Sequence, residues 1–267
     1  MLIIVVISVI LAGGGLGLYY YNFLRDETSD SQSNNPSSCG NFNPVGDPPV
    51  IGSSSFIGGT PPLQKPMVAL TFDDGPSVHT DRLLDILERY NASASFFVLG
   101  SLIALRPDTV VRAAHSGHEV VGHAWTHHNL TRLSRPDIAA QIQDTSDTIK
   151  AVTGISPPLY RPPYGSINSN VREVSAELGY SIAHWTLDPL DWYYRNADRI
   201  YNTIMSQVED GSVIVLHDIH PTTVDAMERV IPSLIEQGYQ LVTMSTLLYH
   251  FYGGLEPGFV YGIDCLD

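Results

Sequence analysis

The sequence predicts an α/β protein with a mainly parallel sheet, arranged either as a (β/α) barrel or as a doubly wound sheet. From residue 65 onward, short apolar runs of strand character alternate with amphipathic segments of helical period. The chain of 267 residues is 43% hydrophobic and only 16% charged, so it can bury the large core that this fold class requires. These two observations together favour one sizeable α/β domain.

The strand candidates are short, mostly apolar runs. They cover residues 68–72, 94–99, 119–121, 159–161, 181–186, 213–216 and 240–244. The helix candidates carry apolar residues three or four positions apart, which gives each helix one apolar face. They cover residues 81–90, 137–152, 168–178, 197–208 and 224–237. Strands that alternate with helices pair in parallel, because each helix carries the chain back to the same edge of the sheet.

Residues 2–21 are almost entirely apolar, and the first charged residue after them is Arg25. About 20 such residues span a bilayer, and three consecutive tyrosines, residues 19–21, are typical of a membrane interface. We therefore expect residues 1–25 to be a single-pass anchor in the cell membrane, with the remaining chain extracytoplasmic. One alternative is a cleaved signal peptide, which would make the protein secreted. A buried core helix is a second alternative, although four glycines would weaken it.

The remaining chain divides by composition. Residues 26–64 are rich in Ser, Asn, Gly and Pro and predict a linker or N-terminal arm, residues 65–250 form the main domain, and residues 251–267 are a C-terminal extension. The two cysteines, Cys39 and Cys265, lie near opposite ends. In an exported protein they could form a disulfide that joins the ends of the domain. Their spacing does not fit a zinc–thiolate site.

The charge balance restricts the partners. The net charge is −14, from 14 basic and 28 acidic residues. Nucleic-acid binding needs clusters of Lys and Arg, which are missing from this sequence, so we expect no nucleic-acid partner. The same balance argues against binding to anionic lipid head groups and favours a neutral substrate. The sequence does not predict an oligomeric state.

Two adjacent carboxylates, Asp73 and Asp74, follow the apolar run 68–72 and precede Gly75 and Pro76. The Gly-Pro pair ends the strand, so the acids are expected at the rim of the sheet, where loops carry chemistry. Successive side chains on an extended strand point to opposite faces, so one acid could bind a cation while the other faces a substrate. The alternative is an ordinary β-turn, in which Asp and Gly are common.

His123 and His127 follow the strand candidate 119–121. Side chains four positions apart meet on one face of a helical turn, where two neutral imidazoles can bind one metal ion. Asp73 or Asp74 would complete a site of two histidines and one carboxylate with open coordination positions. This set suits catalytic zinc or another divalent transition metal. The spacing of the two histidines is by itself a weak signal.

Three further polar clusters follow strand candidates. Arg161 and Tyr164 flank a Pro-Pro pair that stiffens their turn, so the arginine could orient a carboxylate or face an oxyanion. Asp191 and Trp192 belong to the next cluster, and His217 belongs to the last. An acid from a neighbouring strand would raise the pKa of this histidine for proton donation; the alternative is a buried core histidine. Five polar clusters at strand ends are typical of an α/β active site.

The order and the residue sequences of these clusters resemble those of the polysaccharide deacetylases of carbohydrate esterase family 4, which have the NodB-homology fold. The matching segments are TFDDGP at 71–76, HAWTH at 123–127, RPPY at 161–164, DPLDW at 188–192 and LHD at 216–218. The resemblance covers about residues 65–250 and implies a distorted (β/α) barrel of the NodB-homology type. It also implies a metal-dependent N-deacetylase, a hydrolase acting on carbon–nitrogen bonds other than peptide bonds.

The resemblance assigns roles to the residues of the first three clusters. Asp74, His123 and His127 would be the metal ligands. The ion would be zinc, with cobalt, nickel and manganese as alternatives. Asp73 would be the general base that takes a proton from the attacking water, and Arg161 would orient it.

The resemblance also assigns the remaining residues. His217 would be the general acid that protonates the leaving amine, and Asp191 would fix it. The backbone N–H of Tyr164 would help to hold the oxyanion, and Trp192 would line the acetyl pocket. Val215 stands where the family often has leucine and would shape that pocket.

The expected reaction is hydrolysis of N-acetyl groups on GlcNAc residues of a cell-wall polysaccharide, with release of acetate. Peptidoglycan is the favoured substrate, because an anchor would hold the enzyme beside a cell wall. Chitin or chito-oligosaccharides and acetylxylan are the alternatives. A rival from another class is an inactive, carbohydrate-binding relative. The complete set of polar residues argues against that rival.

Overall fold

The structure is a computed structural model, and it describes residues 65–262 of the chain. The predicted anchor, the predicted linker and both cysteines, Cys39 and Cys265, lie outside the described residues. Within residues 65–262, no helix combines the length and hydropathy that crossing a membrane requires. The anchor and the disulfide therefore stay predictions.

The described chain contains eight strands. They are β1 (Met67–Gly75), β2 (Ser95–Val98), β3 (Glu119–Gly122), β4 (Leu159–Tyr160), β5 (Ser181–Ala183), β6 (Val213–His217), β7 (Gln240–Leu241) and β8 (Val260–Tyr261). The first seven coincide with predicted strands, and β8 was not predicted. Strand β7 is shorter than expected because Thr243 starts a helix, its side chain accepting a hydrogen bond from the Thr246 backbone N–H at 3.2 Å.

Nine α-helices and two short 3-10 helices lie in the same range. The α-helices are α1 (Thr80–Arg89), α2 (Gly100–Ile103), α3 (Pro107–His115), α4 (Arg135–Thr153), α5 (Ser169–Leu178), α6 (Asp191–Tyr194), α7 (Ala197–Gln207), α8 (Pro221–Glu236) and α9 (Met244–Tyr252). The five predicted helices are present as α1, α4, α5, α7 and α8. Local signals set their limits: Ser134 caps the start of α4, and Gly154, with φ 76°, ends it.

The strands form one parallel sheet in the order β6-β1-β2-β3-β4-β5-β8, with β7 paired to the start of β1. Four residues after β5, Leu187 forms an isolated parallel bridge with Ile214 of β6, which links the segment after β5 to the other end of the curled sheet. The predicted parallel α/β fold is therefore confirmed, in the form of a curled, incompletely closed barrel. Residues 251–262, predicted as part of a C-terminal extension, contribute β8 to this sheet.

Side chains of β1 alternate between two sides of the sheet. Val68, Leu70 and Phe72 pack outward against the surrounding helices. Ala69 packs with the inner cluster, which includes residues of β2, β6 and α9. Thr71 and Asp73 follow Ala69 at the period of two and therefore also face the interior of the curl. The barrel interior is thus apolar at its base and polar toward the carboxyl ends of the strands.

Candidate active site

Strand β1 ends in a distorted segment that carries the two acids. Asp74 has φ 72°, and the register of β1 against β2 shifts between Asp73 and Gly75. Because Asp74 is not extended, the expected alternation of the two carboxylates is wrong. Both acids approach the same imidazole: the Nε2 atom of His123 lies 3.8 Å from Oδ2 of Asp73 and 3.5 Å from Oδ1 of Asp74.

The segment after β3 brings the two histidines together, with ring centroids 5.2 Å apart. The prediction that they share a helical turn is wrong, since residues 123–127 are irregular. Ala124 and His127 instead adopt left-handed backbone angles, with φ 63° and 58°. These two left-handed residues fold the loop back on itself. The two histidine rings therefore lie close together although they do not share a helical turn.

Asp74, His123 and His127 form a candidate metal centre. Oδ1 of Asp74 lies 3.2 Å from Nε2 of His127 and 3.5 Å from Nε2 of His123. This buried oxygen has no hydrogen-bond partner among the described residues, which is costly unless a cation accepts its charge. The Nδ1 atom of His123 lies 2.9 Å from the Arg161 carbonyl oxygen and donates to it, which leaves Nε2 with a free lone pair. The residues therefore fit a divalent metal ion.

Asp73 and Arg161 form a buried ion pair beside this centre. Arg161 is fully buried, and its Nη1 donates to Oδ1 of Asp73 at 2.6 Å and to Oγ1 of Thr71 at 2.9 Å. Its Nη2 donates to the His184 carbonyl oxygen at 2.9 Å, and its guanidinium stacks on the Phe97 ring at 3.9 Å. Burial alone would raise the pKa of Asp73, but the charge of Arg161 and nearby histidines outweighs it, so the pKa is lowered. Asp73 is therefore ionised at neutral pH.

Asp191 and His217 form a second pair, at the ends of neighbouring segments. Oδ1 of Asp191 accepts from Nδ1 of His217 at 2.8 Å, and Oδ2 accepts from the His217 backbone N–H at 2.7 Å. Burial alone would lower the pKa of His217, but the hydrogen bond and charge of Asp191, together with the charges of Asp73 and Asp74, raise it to about 9. The histidine is therefore protonated at neutral pH, with Nδ1 engaged and Nε2 left to donate.

The three predicted pocket residues lie in different settings. Tyr164 is exposed, has φ 62°, and its ring meets the edge of the His127 ring at a centroid distance of 4.6 Å. Trp192 follows Asp191 directly and is half exposed, at 47%. Val215 is buried two residues before His217 on the same face of β6, beneath the site. Contact of these residues with a substrate stays a prediction.

Non-glycine residues with positive φ concentrate around the site. Five of the seven among the described residues lie there, namely Asp74, Ala124, His127, Tyr164 and Leu190; the other two are Asn91 and Arg195. Each such residue costs on the order of 1–3 kcal/mol, and this strain is retained where it orients groups that a relaxed backbone would turn away. The turns that carry the candidate ligands and the Tyr164 peptide are thus held in fixed, strained conformations.

Three supporting residues had no assigned role in the sequence. Thr71 receives the hydrogen bond from Arg161, and Thr223 donates to Oδ2 of Asp191 at 2.7 Å. Asp218 is fully buried and accepts from the Thr80 hydroxyl, while Ser77 donates to its carbonyl at 2.9 Å; these contacts join the end of β6 to the loop after β1. Thr71 could have been found, since it lies two residues before Asp73 on the same strand face. Nothing in the local sequence indicates Thr223.

Comparisons with known proteins support a common origin for this arrangement. The family model described as polysaccharide deacetylase matches residues 60–183. The chain is 46% identical over 187 residues to a Bacillus subtilis protein named peptidoglycan-N-acetylmuramic acid deacetylase PdaC, which covers 70% of this chain and 39% of that protein. A solved structure of PdaC superposes with a TM-score of 0.66 at 44% identity, covering 69% of this chain and 90% of that chain.

A protein of Bacillus cereus named peptidoglycan-N-acetylglucosamine deacetylase is 35% identical over 191 residues, which cover 70% of each protein. The chain belongs to the polysaccharide deacetylase family. A further member, named chitooligosaccharide deacetylase, from Sinorhizobium fredii, is 36% identical over 189 residues, covering 65% of this chain and 88% of that protein. Family membership, predicted from five sequence clusters, is therefore confirmed. The aligned part is about two fifths of the length of PdaC, at 39%.

Proposed function

We propose that this chain is a divalent-metal-dependent N-deacetylase that hydrolyses N-acetyl groups on the amino sugars of a cell-wall polysaccharide. One observation carries this proposal: the candidate metal centre lies beside both an ionised, buried carboxylate and a protonated, carboxylate-held imidazole. Asp73 contributes the first group and His217 the second. A metal site, a proton acceptor and a proton donor are the three groups that hydrolysis of an amide requires.

The candidate ligands for the ion are Asp74, His123 and His127. When bound, a divalent ion would polarise the acetyl carbonyl and lower the pKa of a water molecule. Zinc is the proposed ion, because one carboxylate and two imidazoles are a common set for catalytic zinc; cobalt, nickel and manganese are alternatives.

The chain's own residues would then move the protons. Oδ2 of Asp73 accepts one proton from the attacking water while Arg161 holds the opposite oxygen. A C–O bond forms, the amide C–N bond breaks, and Nε2 of His217 gives its proton to the departing amine. Asp191 holds Nδ1 of the imidazolium, so that Nε2 is the nitrogen that gives up its proton. The Tyr164 turn presents a backbone N–H toward the developing oxyanion.

Peptidoglycan is the proposed substrate, and GlcNAc the favoured sugar. Relatives of this chain support peptidoglycan, since the Bacillus subtilis and Bacillus cereus proteins carry that substrate in their names. The two names differ in the sugar, N-acetylmuramic acid and N-acetylglucosamine, so the muramic acid unit is a second candidate position. A chito-oligosaccharide is the second candidate substrate, favoured by the name of the Sinorhizobium fredii relative.

The proposed location is the outer face of the cell membrane, with residues 1–25 as the anchor. The uncharged run at residues 2–21 supports this location. An anchored enzyme would meet a cell-wall polymer without diffusing away. This proposal is separate from the chemistry of the site.

The purified full chain, loaded with zinc, is expected to release acetate from peptidoglycan, and chelation of the metal is expected to abolish the release. Chito-oligosaccharides and acetylxylan serve as comparison substrates in the same acetate assay. Readdition of zinc should restore activity, which separates metal loss from unfolding. Release that persists after complete removal of metal would contradict the proposed mechanism. Release from acetylxylan alone would contradict the proposed substrate.

A further inference from the structure

A row of exposed aromatic side chains leads away from the catalytic pair. Helix α6 starts at Asp191, which holds His217, and continues with Trp192, Tyr193 and Tyr194, all of them exposed. Neighbouring rings in the row meet edge to face, at centroid distances of 5.8 Å and 4.8 Å. Leu190 and Arg195, which flank α6, have left-handed backbones with φ 54° and 46°. The row therefore extends directly from the catalytic pair and presents amphipathic Trp and Tyr side chains to solvent, a residue type enriched at binding interfaces.

Two exposed arginines lie at the end of this row. Neither Arg195 nor Arg199 forms an ion pair with a carboxylate of the described residues 65–262. Asp198, the acid between them in sequence, is paired with Arg229 at 2.5 Å. Five other surface arginines form ion pairs, namely Arg82, Arg89, Arg112, Arg135 and Arg229, whereas Arg106 and Arg132 form none with carboxylates of the described residues. Arg195 and Arg199 differ from these in lying only four positions apart, so one short segment of a chain with a net charge of −14 carries two cations without carboxylate partners in the described residues.

The two guanidinium groups are positioned by the aromatic row. Arg199 lies over the Tyr194 ring, 3.3 Å from its centroid, and Nε of Arg195 donates to the Trp192 carbonyl oxygen at 3.3 Å. Residues around Arg199 line an open depression of about 570 Å³: Tyr194, Asn196, Arg199, Asn202 and Thr203. This volume accommodates a substituent of a sugar, and its walls offer a cation, two amides and a hydroxyl.

Arg195 also lies near the rim of the catalytic site. His220 precedes α8, and its ring lies 6.3 Å from the ring of His217. The pKa of His220 is lowered by burial first and by the positive charge of Arg195 second. The backbone N–H of Arg195 also donates to the Asp191 carbonyl oxygen at 3.0 Å, so Arg195 directly adjoins the catalytic pair.

We propose that Arg195 and Arg199 form a subsite that binds a carboxylate carried by the substrate glycan. Arginine suits this role, because its planar fork of donors matches a carboxylate and it stacks on aromatic rings. The subsite deepens the proposed function and rests on it. A glycan bound across Trp192 and Tyr193 would place an acidic substituent of a neighbouring unit at the arginines. A neutral polymer such as chitin offers no such group.

A peptidoglycan strand offers carboxylates from two sources, the lactyl ether of muramic acid and the stem peptide. Three N-acetylated tetrasaccharides distinguish them: a neutral chitotetraose, a muramic-acid glycan with free lactyl groups, and the same glycan with stem peptides. The measured quantity is the preference ratio, which is kcat/KM for each acidic glycan divided by kcat/KM for chitotetraose, both from acetate release by the zinc-loaded full chain.

The double variant Arg195→Gln/Arg199→Gln is expected to lower the preference ratio about tenfold, mainly through KM, since two partly exposed charge-assisted contacts are lost. The double variant Arg195→Lys/Arg199→Lys is expected to keep part of the preference, because it keeps the charge but loses the planar fork. The wild-type preference is also expected to weaken between low and high salt. A loss confined to one acidic glycan identifies the source of the carboxylate.

The control variant is Arg89→Gln/Lys150→Gln, which removes two positive charges from the ends of α1 and α4 at the opposite edge of the sheet. It is expected to keep the wild-type preference ratio. An unchanged ratio in an active Arg195→Gln/Arg199→Gln variant would overturn the subsite, and so would an equal fall in the control. Absence of acetate release by the wild type from all three glycans would instead overturn the proposed function.

Discussion

Replacement of His217 by alanine is expected to lower kcat/KM for acetate release from an N-acetyl substrate by about 10²–10⁴-fold, the usual contribution of a positioned general acid. An amine leaves poorly unless it is protonated, whereas a phenolate needs little help. The same variant should therefore retain far more of its activity toward an aryl acetate ester. Its zinc content should stay that of the wild type, because none of the three candidate ligands is changed.

The pH profile gives an independent check on this role. Activity requires protonated His217, so the rate is expected to fall as pH rises through its pKa. Asp191 raises that pKa to about 9, and a bound cation would offset part of the effect by balancing Asp73 and Asp74, so the alkaline limb should lie at or below pH 9. His217→Ala should lack this limb. His115→Ala, an exposed histidine at the end of α3, is the control. Equal losses on amide and ester, with the limb retained, would contradict the assignment.

The second large effect concerns stability. Arg161→Met and Asp73→Asn are each expected to lower the free energy of unfolding by about 3–5 kcal/mol, because each leaves an uncompensated charge in the barrel interior. The double variant should lose clearly less than the sum of the two, since it leaves neither charge. Urea denaturation of the four proteins measures this coupling.

A matched control is the exposed pair of Arg229 and Asp198 on the surface. Arg229→Met should cost far less than Arg161→Met, because solvent screens exposed charges. Additive losses at Asp73 and Arg161 would show that the two residues do not act as a pair. The double variant should stay inactive whatever its stability, because it lacks the proposed base.

The strand positions were predictable because buried parallel strands are short apolar runs bounded by Gly, Pro and acidic residues. The site residues were found for a related reason: carboxyl ends of parallel strands meet at one edge, so polar residues such as Asp73, Arg161 and His217 converge there. The family resemblance then assigned Asp74 as the metal ligand and Asp73 as the base. The spacing of the residues alone left this choice open.

The remaining features depend on backbone angles and long-range contacts that no local pattern encodes. The left-handed conformation of Asp74 contradicts the expected alternation of the two carboxylates, and that of His127 contradicts the expected helical turn. Tertiary contacts impose backbone angles that these residue types rarely adopt. The role of Thr223 depends on a contact across 32 residues. The proposed role of Arg195 and Arg199 was not predicted, because the net negative charge of the whole chain does not show where positive charge lies on its surface.

The metal content of three proteins tests the central claim most directly, namely that Asp74 binds the ion with His123 and His127 while Asp73 acts as a base. Zinc measured by atomic emission on the purified full chain should be about one ion per chain in the wild type and in folded Asp73→Asn. Asp74→Asn should hold little or none, because a neutral amide replaces the charged ligand. Both variants should release almost no acetate. Loss of zinc from Asp73→Asn with retention in Asp74→Asn would contradict the account by reversing the two roles.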